Sequence, residues 1–213
     1  MSPAATPRRR GRPADPQKRE AIIAVARRLF LEHGYGIGLD AIAAEAGVSR
    51  QTIYNLFSSK DDLFAAIVQE SSDLITAPLA HLAPGAMPHQ VLTTLGESFL
   101  HKMASEQTVG LQRLLIASAA DFPGIGPAFY DNGPGLGVAR LGDYLQRETA
   151  AGRLAVSDPR LAAEQFFGML VGHTTLKRIL RMQVSLSEAE IRHRVDTAVT
   201  TFLRAYSPSP ATD

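Results

Sequence analysis

The chain has 213 residues, with 22 Lys/Arg against 21 Asp/Glu and no cysteine. That length suits one large domain or two small ones, and the missing cysteine excludes disulfides, thiolate nucleophiles and cysteine-based metal sites. No apolar run approaches the ~20 residues of a membrane span, and no apolar segment follows the basic N-terminus as in a signal peptide, so a cytoplasmic protein without a membrane partner is expected.

The charge is unevenly placed. Residues 1–64 carry ten Lys/Arg against seven Asp/Glu, and residues 65–213 carry twelve against fourteen. The basic excess therefore lies on the N-terminal side, as a phosphate-seeking domain requires. Residues 1–14, MSPAATPRRRGRPA, are Pro-rich and aperiodic and read as a disordered basic arm. Within it, Arg10-Gly11-Arg12-Pro13 resembles the core of an AT-hook, a thin segment that sets arginines into the narrow, negative minor groove of A·T tracts. Arg8, Arg9, Arg10 and Arg12 are accordingly candidate phosphate or minor-groove contacts, and a solubilising tail is the plainer alternative.

Asp15 and Pro16 supply an N-cap and a first-position proline for a helix running to His33. Ile22, Ile23, Ala26, Leu29 and Phe30 form its core stripe, and Gly34 ends it. After the loop GYGIG, residues 39–57 (LDAIAAEAGVSRQTIYNLF) read as two short helices joined by a tight turn. The first carries Leu39, Ile42, Ala43 and Ala46 on one face, and Gly47 stops it. Ser49 is a good N-cap for the second, which buries Ile53 and Phe57 and turns Gln51 and Asn55 the other way, flanked by Arg50, Thr52 and Tyr54. So short a helix must dock on a neighbour. Its polar face then suits the DNA major groove, where amides match adenine edges and arginine matches guanine. Arg50, Gln51, Thr52 and Asn55 are the candidate base readers.

The run IAAEAGVSRQTIYNLFSSKDDLF resembles the DNA-binding signature of TetR-family transcriptional regulators, from about Ala21 to Leu63. The resemblance implies an all-α fold: a three-helix helix-turn-helix domain over residues 15–62, then a larger helical effector-binding and dimerisation domain over residues 63–206, about nine helices in all. It implies double-stranded operator DNA, read as a palindrome by a homodimer, and an unknown small-molecule effector as partners. Lys60 stands where the family places a phosphate-binding lysine, and Ser49 and Tyr54 join it as candidate phosphate contacts. The chain departs from the pattern twice. Gly38 replaces the usual Thr or Ser before the second helix, and Leu56 replaces a residue that is commonly polar or aromatic, so no phosphate contact is carried over to either.

Ser59, with Asp62 as its capping-box partner, starts a fourth helix ending near Ala77, before Pro78. It is expected to be the only helix touching both domains, and so the lever between them. Further helices are expected over about Pro88–Ser105, Thr108–Ala120 and Ile125–Ala151, the last kinked or interrupted at Gly133-Pro134. An eighth should run from Asp158 to Met182 and a ninth from Ser187 to Tyr206, leaving 207–213 as a disordered tail. The stretch ADFPGIGPAFYDNGPGL resembles TetR-family members with an AefR-like C-terminal domain. A single domain could bury the last two helices alone; the resemblance implies instead that they pair with their copies in a two-fold interface. Gly168 and Gly172 would allow the close approach, and Val195, Val199 and Phe202 would supply the apolar stripe.

No G-x-S-x-G, phosphate loop or H-E-x-x-H occurs, so neither an enzyme nor a cofactor or metal site is expected. Isolated polar groups among the Phe-, Leu- and Met-rich later helices are His101, Gln112, Arg113, Tyr130 and His173. With Phe166 and Met169 they are the candidate lining of an effector pocket for a small apolar or aromatic molecule. The reading is a transcriptional repressor released from its operator by that effector. The alternative is an architectural, A·T-preferring DNA-binding protein without an effector.

Overall fold

The structure is a computed structural model that describes residues 16–81, 85–184 and 186–208. The basic arm, Asp15 and most of the expected tail lie outside the described residues. Among the described residues the chain forms eleven α-helices and no strand. The N-terminal unit is α1 (Pro16–His33), α2 (Leu39–Glu45) and α3 (Arg50–Leu56). α4 (Lys60–Ala80) leads into α5 (Pro88–Ala104), α6 (Glu106–Ser118), α7 (Ile125–Asn132) and α8 (Pro134–Ala150). α9 (Pro159–Val171), α10 (Thr174–Ile179) and α11 (Glu188–Tyr206) complete it.

Local chemistry sets the N-terminal boundaries. All five residues of the α1 stripe are buried. Gly47 adopts φ +64°, a left-handed conformation that costs glycine nothing, and so turns the chain between α2 and α3. The Ser49 hydroxyl accepts the Thr52 amide hydrogen at 3.1 Å and caps α3. Ser59 caps α4 in the same way, while Asp62 accepts from the Ser58 amide rather than from Ser59.

At Gly133-Pro134, where a kink or an interruption is expected, the helix is interrupted, and Pro134 restarts the chain as the first residue of α8. Two boundaries differ from the sequence reading. The expected long helix ending at Met182 divides at Gly172, whose φ of +47° closes α9 before α10 begins. An apolar run reads the same whether continuous or broken, so periodicity alone gave nine helices instead of eleven. Pro78 lies inside α4, because it falls in the last turn and removes one hydrogen bond beside the exposed Leu74.

Two cores form. The N-terminal core unites Phe30, Tyr35, Ile42, Ile53, Phe57 and Phe64, and also takes in Leu111 of α6 and Ile125 of α7. The second unites α5, α8, α9 and α11 with Ile75 and Leu79 of α4. α4 does run through both, but α6 and α7 touch the N-terminal core as well, so it is not the only helix between them. Val195, Val199 and Phe202 belong to this second core and are at most 1% exposed in the single protomer. Phe202 packs edge-on to Phe166, with ring centroids 5.3 Å apart. These three residues therefore do not form a two-fold contact: the stripe of α11 is satisfied by its own chain. Gly168 and Gly172 face outward, alongside the exposed Leu161 and Met169.

Candidate functional site

α3 presents its polar face to solvent because Ile53 is fully buried on the other side and Leu56 packs half-buried beside it. Gln51 and Asn55 are exposed one turn apart, and the Gln51 amide nitrogen donates to the Asn55 amide oxygen at 2.9 Å. Arg50 is drawn aside. Its Nε lies 3.0 Å from Asp40 of α2, and its guanidinium sits 5.4 Å from the Tyr54 ring centre and donates to the Tyr54 hydroxyl. Thr52 and Ser49 hydroxyls bond to each other at 2.8 Å.

Lys60 is turned inward. Its ammonium donates to the Tyr35 carbonyl at 2.8 Å and to the Ile37 carbonyl at 3.4 Å, and stands over the rings of Tyr35 and Phe122. The Tyr35 hydroxyl donates to Asp61, and burial followed by this bond holds its ionisation well above the ordinary phenol range. Lys60 in this conformation does not project towards a ligand outside the protein, contrary to the sequence reading.

Between α4 and α9 lies a cavity of about 380 Å³. Its walls are Val68 and Ile75 of α4, Phe99 and Met103 of α5, Leu111 of α6, Phe129 of α7, Val138 of α8, and Phe167 and Val171 of α9. Ser71, Thr108, Gln112, Tyr130, Glu164 and Thr175 are the polar side chains without a bond to the protein backbone, Thr108 being bonded to the Ser105 hydroxyl, and Ser72 is bonded to the Gly133 carbonyl. No Lys, Arg or His is among the described residues lining it. A site of this size and make-up takes a mostly apolar small molecule oriented by a few polar contacts.

Residues 22–67 match the family of bacterial regulatory proteins of the tetR type, and residues 90–208 match the AefR-like transcriptional repressor C-terminal domain. The chain belongs to the TetR family. Members of this family are transcriptional regulators, not enzymes, and bind operator DNA, typically as dimers.

Two solved structures agree along nearly the whole chain. A TetR-family regulator from Mesorhizobium loti MAFF303099 is 30% identical, with 90% of this chain and 98% of that one covered and a TM-score of 0.76. The flavonoid-responsive regulator FrrA is 30% identical, with 92% and 100% covered and a TM-score of 0.72. The HTH-type transcriptional activator FasR of Mycolicibacterium smegmatis (strain ATCC 700084 / mc(2)155) is 38% identical over 72 residues, 33% of each chain. The chain spans less than half the length of the curated relatives it matches.

In this TetR-family chain the cavity gathers only two of the seven pocket residues read from sequence, Gln112 and Tyr130. Phe166 points into the second core, and its neighbour Phe167 lines the cavity instead: one residue is a ~100° turn of the helix. His101 lies on the outside between α5 and α11, with Nε2 3.1 Å from both Glu188 oxygens. Arg113 donates to the carbonyls of Arg178 and Ile179, tying α6 to the end of α10. Met169 and His173 are exposed on the outer side of α9 and at the start of α10. Of the five isolated polar residues, His101 and Arg113 bond backbone or surface groups, Gln112 and Tyr130 line the cavity, and His173 is exposed. The aromatic wall of Phe99, Phe129 and Phe167 carried no such signal, because buried phenylalanines are ordinary core residues.

Proposed function

We propose that this regulator is a homodimeric, cytoplasmic repressor released from a palindromic operator by a neutral, largely apolar or aromatic small molecule bound in the α4–α9 cavity. The observation that carries this reading is the cavity itself: aromatic and aliphatic walls, a few orienting polar groups and no cationic lining. A carboxylate or phosphate would lose its water there with no positive partner to offset the loss. The name of FrrA, flavonoid-responsive, fits the same class of ligand. Gln51, Asn55 and Thr52 read base edges, with Ser49 and Tyr54 on phosphates. Lys60 joins them on DNA only after leaving the contacts described above. The arginines of residues 1–14 add minor-groove or phosphate contacts.

The reading is tested by a thermal-shift screen of neutral aromatic compounds against matched carboxylates, followed by operator titration with each hit. Neutral hits that raise the melting temperature and weaken operator binding support it. Preference for carboxylates, or hits that leave operator affinity unchanged, would contradict it.

A further inference from the structure

The turn between α6 and α7 carries an aromatic side chain into the N-terminal unit. Phe122 meets Tyr35 edge-on, with ring centroids 5.1 Å apart at 77°. The Lys60 ammonium stands 4.7 Å from the centre of the Tyr35 ring and 5.0 Å from that of Phe122. Two of its donors point at the carbonyls of Tyr35 and Ile37. The next residue, Asp61, accepts from the Tyr35 hydroxyl and lies so close to Gly124 that an added Cβ there would collide with its carboxylate. The start of α4, the α1–α2 loop and the α6–α7 turn thus form one closed cage around a single cation. The short α7 follows that turn directly, and its Phe129 and Tyr130 form part of the cavity wall.

An ammonium held between two rings and two carbonyls cannot also reach a phosphate outside the protein. We propose that Phe122 and the operator phosphate compete for Lys60, so that Phe122, a residue of the larger domain, is a positioning residue for DNA binding. The competition rests on reading Lys60 as a phosphate ligand, and only its coupling to a cavity occupant rests on α7 as an effector wall. An occupant that presses α7 towards the N-terminal unit keeps the cage closed and removes one phosphate contact, and DNA binding opens it.

The test is the salt dependence of operator binding by the full chain, with no small molecule present. Phe122→Leu removes the ring face and should bind about two- to fivefold tighter, the range expected for one partly exposed cation–π contact. Phe122→Tyr keeps the ring and should bind like the parent. Lys60→Met should abolish the gain, and its salt slope should be shallower than that of Phe122→Leu by about 0.9, one phosphate contact. A Phe122→Leu variant that binds no tighter than the parent, or that keeps its advantage in the Lys60→Met background, would overturn the proposal. If Phe122→Leu does not fold, an unchanged slope in Lys60→Met overturns it equally. A cavity ligand that fails to alter operator affinity would defeat the effector reading and leave this result standing.

Discussion

The side chains of Gln51 and Asn55 are bonded to each other, amide nitrogen to amide oxygen, at 2.9 Å across one turn of α3. The bond leaves Gln51 with its own oxygen and one N–H, the pair that matches N6 and N7 of adenine, and leaves both N–H groups of Asn55 for acceptors on an adjacent base. Gln51→Ala should therefore cost about 1–3 kcal/mol at the operator and relax specificity at one position, with binding to random DNA unchanged. Selection of binding sites from a random pool by parent and variant reads this directly. Equal site preferences would show that the amide pair does not face the bases.

Arg50 is held by Asp40 and Tyr54, away from that pair. Asp40→Ala removes an exposed partner, so the fold should be little affected. The freed guanidinium should tighten binding to any DNA and steepen its salt dependence. Fluorescence anisotropy on operator and random duplexes across a salt series checks both. Weaker binding by Asp40→Ala would show that the clasp between α2 and α3 is needed to present α3.

Phe202 is fully buried beside Phe166 within one protomer. Phe202→Ala should cost the fold about 3–5 kcal/mol, as a cavity in a packed core does, and denaturant unfolding measures it. Met169→Asp, on the outward face of α9 near Gly168, should instead leave the protomer folded and shift sedimentation from dimer to monomer. A Met169→Asp variant that remains a dimer would place the two-fold contact elsewhere.

His101 bridges α5 and α11. Its Nε2 faces the Glu188 carboxylate and its Nδ1 lies 2.7 Å from the Glu97 carbonyl. Both partners accept hydrogen bonds, so the geometry needs the doubly protonated ring. The Glu188 bond, outweighing desolvation and aided by Glu97, raises the His101 pKa above its ordinary value. A raised folded-state pKa gives stability that is fully present below the unfolded value of about 6.5 and lost as pH rises through the higher folded value. Melting temperature should fall over that window in the parent and fall less in His101→Gln. Parallel pH profiles would show that the bridge contributes nothing.

Much of the DNA-facing half was legible in the sequence. α1 begins and ends where proline and glycine mark it, and the turn at Gly47 and the cap at Ser49 follow from local backbone chemistry. Such signals act over three or four residues, which is the range a sequence exposes. The larger half depends on contacts between distant residues. Nothing near Lys60 announces that Phe122, some sixty positions on, will stand over it. Nothing in the run from Phe166 to Leu180 tells which of two adjacent phenylalanines faces the core and which the cavity. The stripe of α11 looked available for a partner because an apolar face has the same appearance whether its own chain or a second copy covers it.

We propose that the operator and a molecule in the α4–α9 cavity oppose each other through one chain. The most direct measurement is a closed thermodynamic cycle: operator affinity with and without a saturating neutral aromatic ligand, and ligand affinity with and without saturating operator. Each should weaken the other by the same factor, since linkage requires reciprocity. Phe167→Ala, which alters the cavity wall and leaves α3 untouched, should change ligand affinity with little effect on binding of operator alone. Ligand and operator affinities that are independent of each other would contradict the proposal.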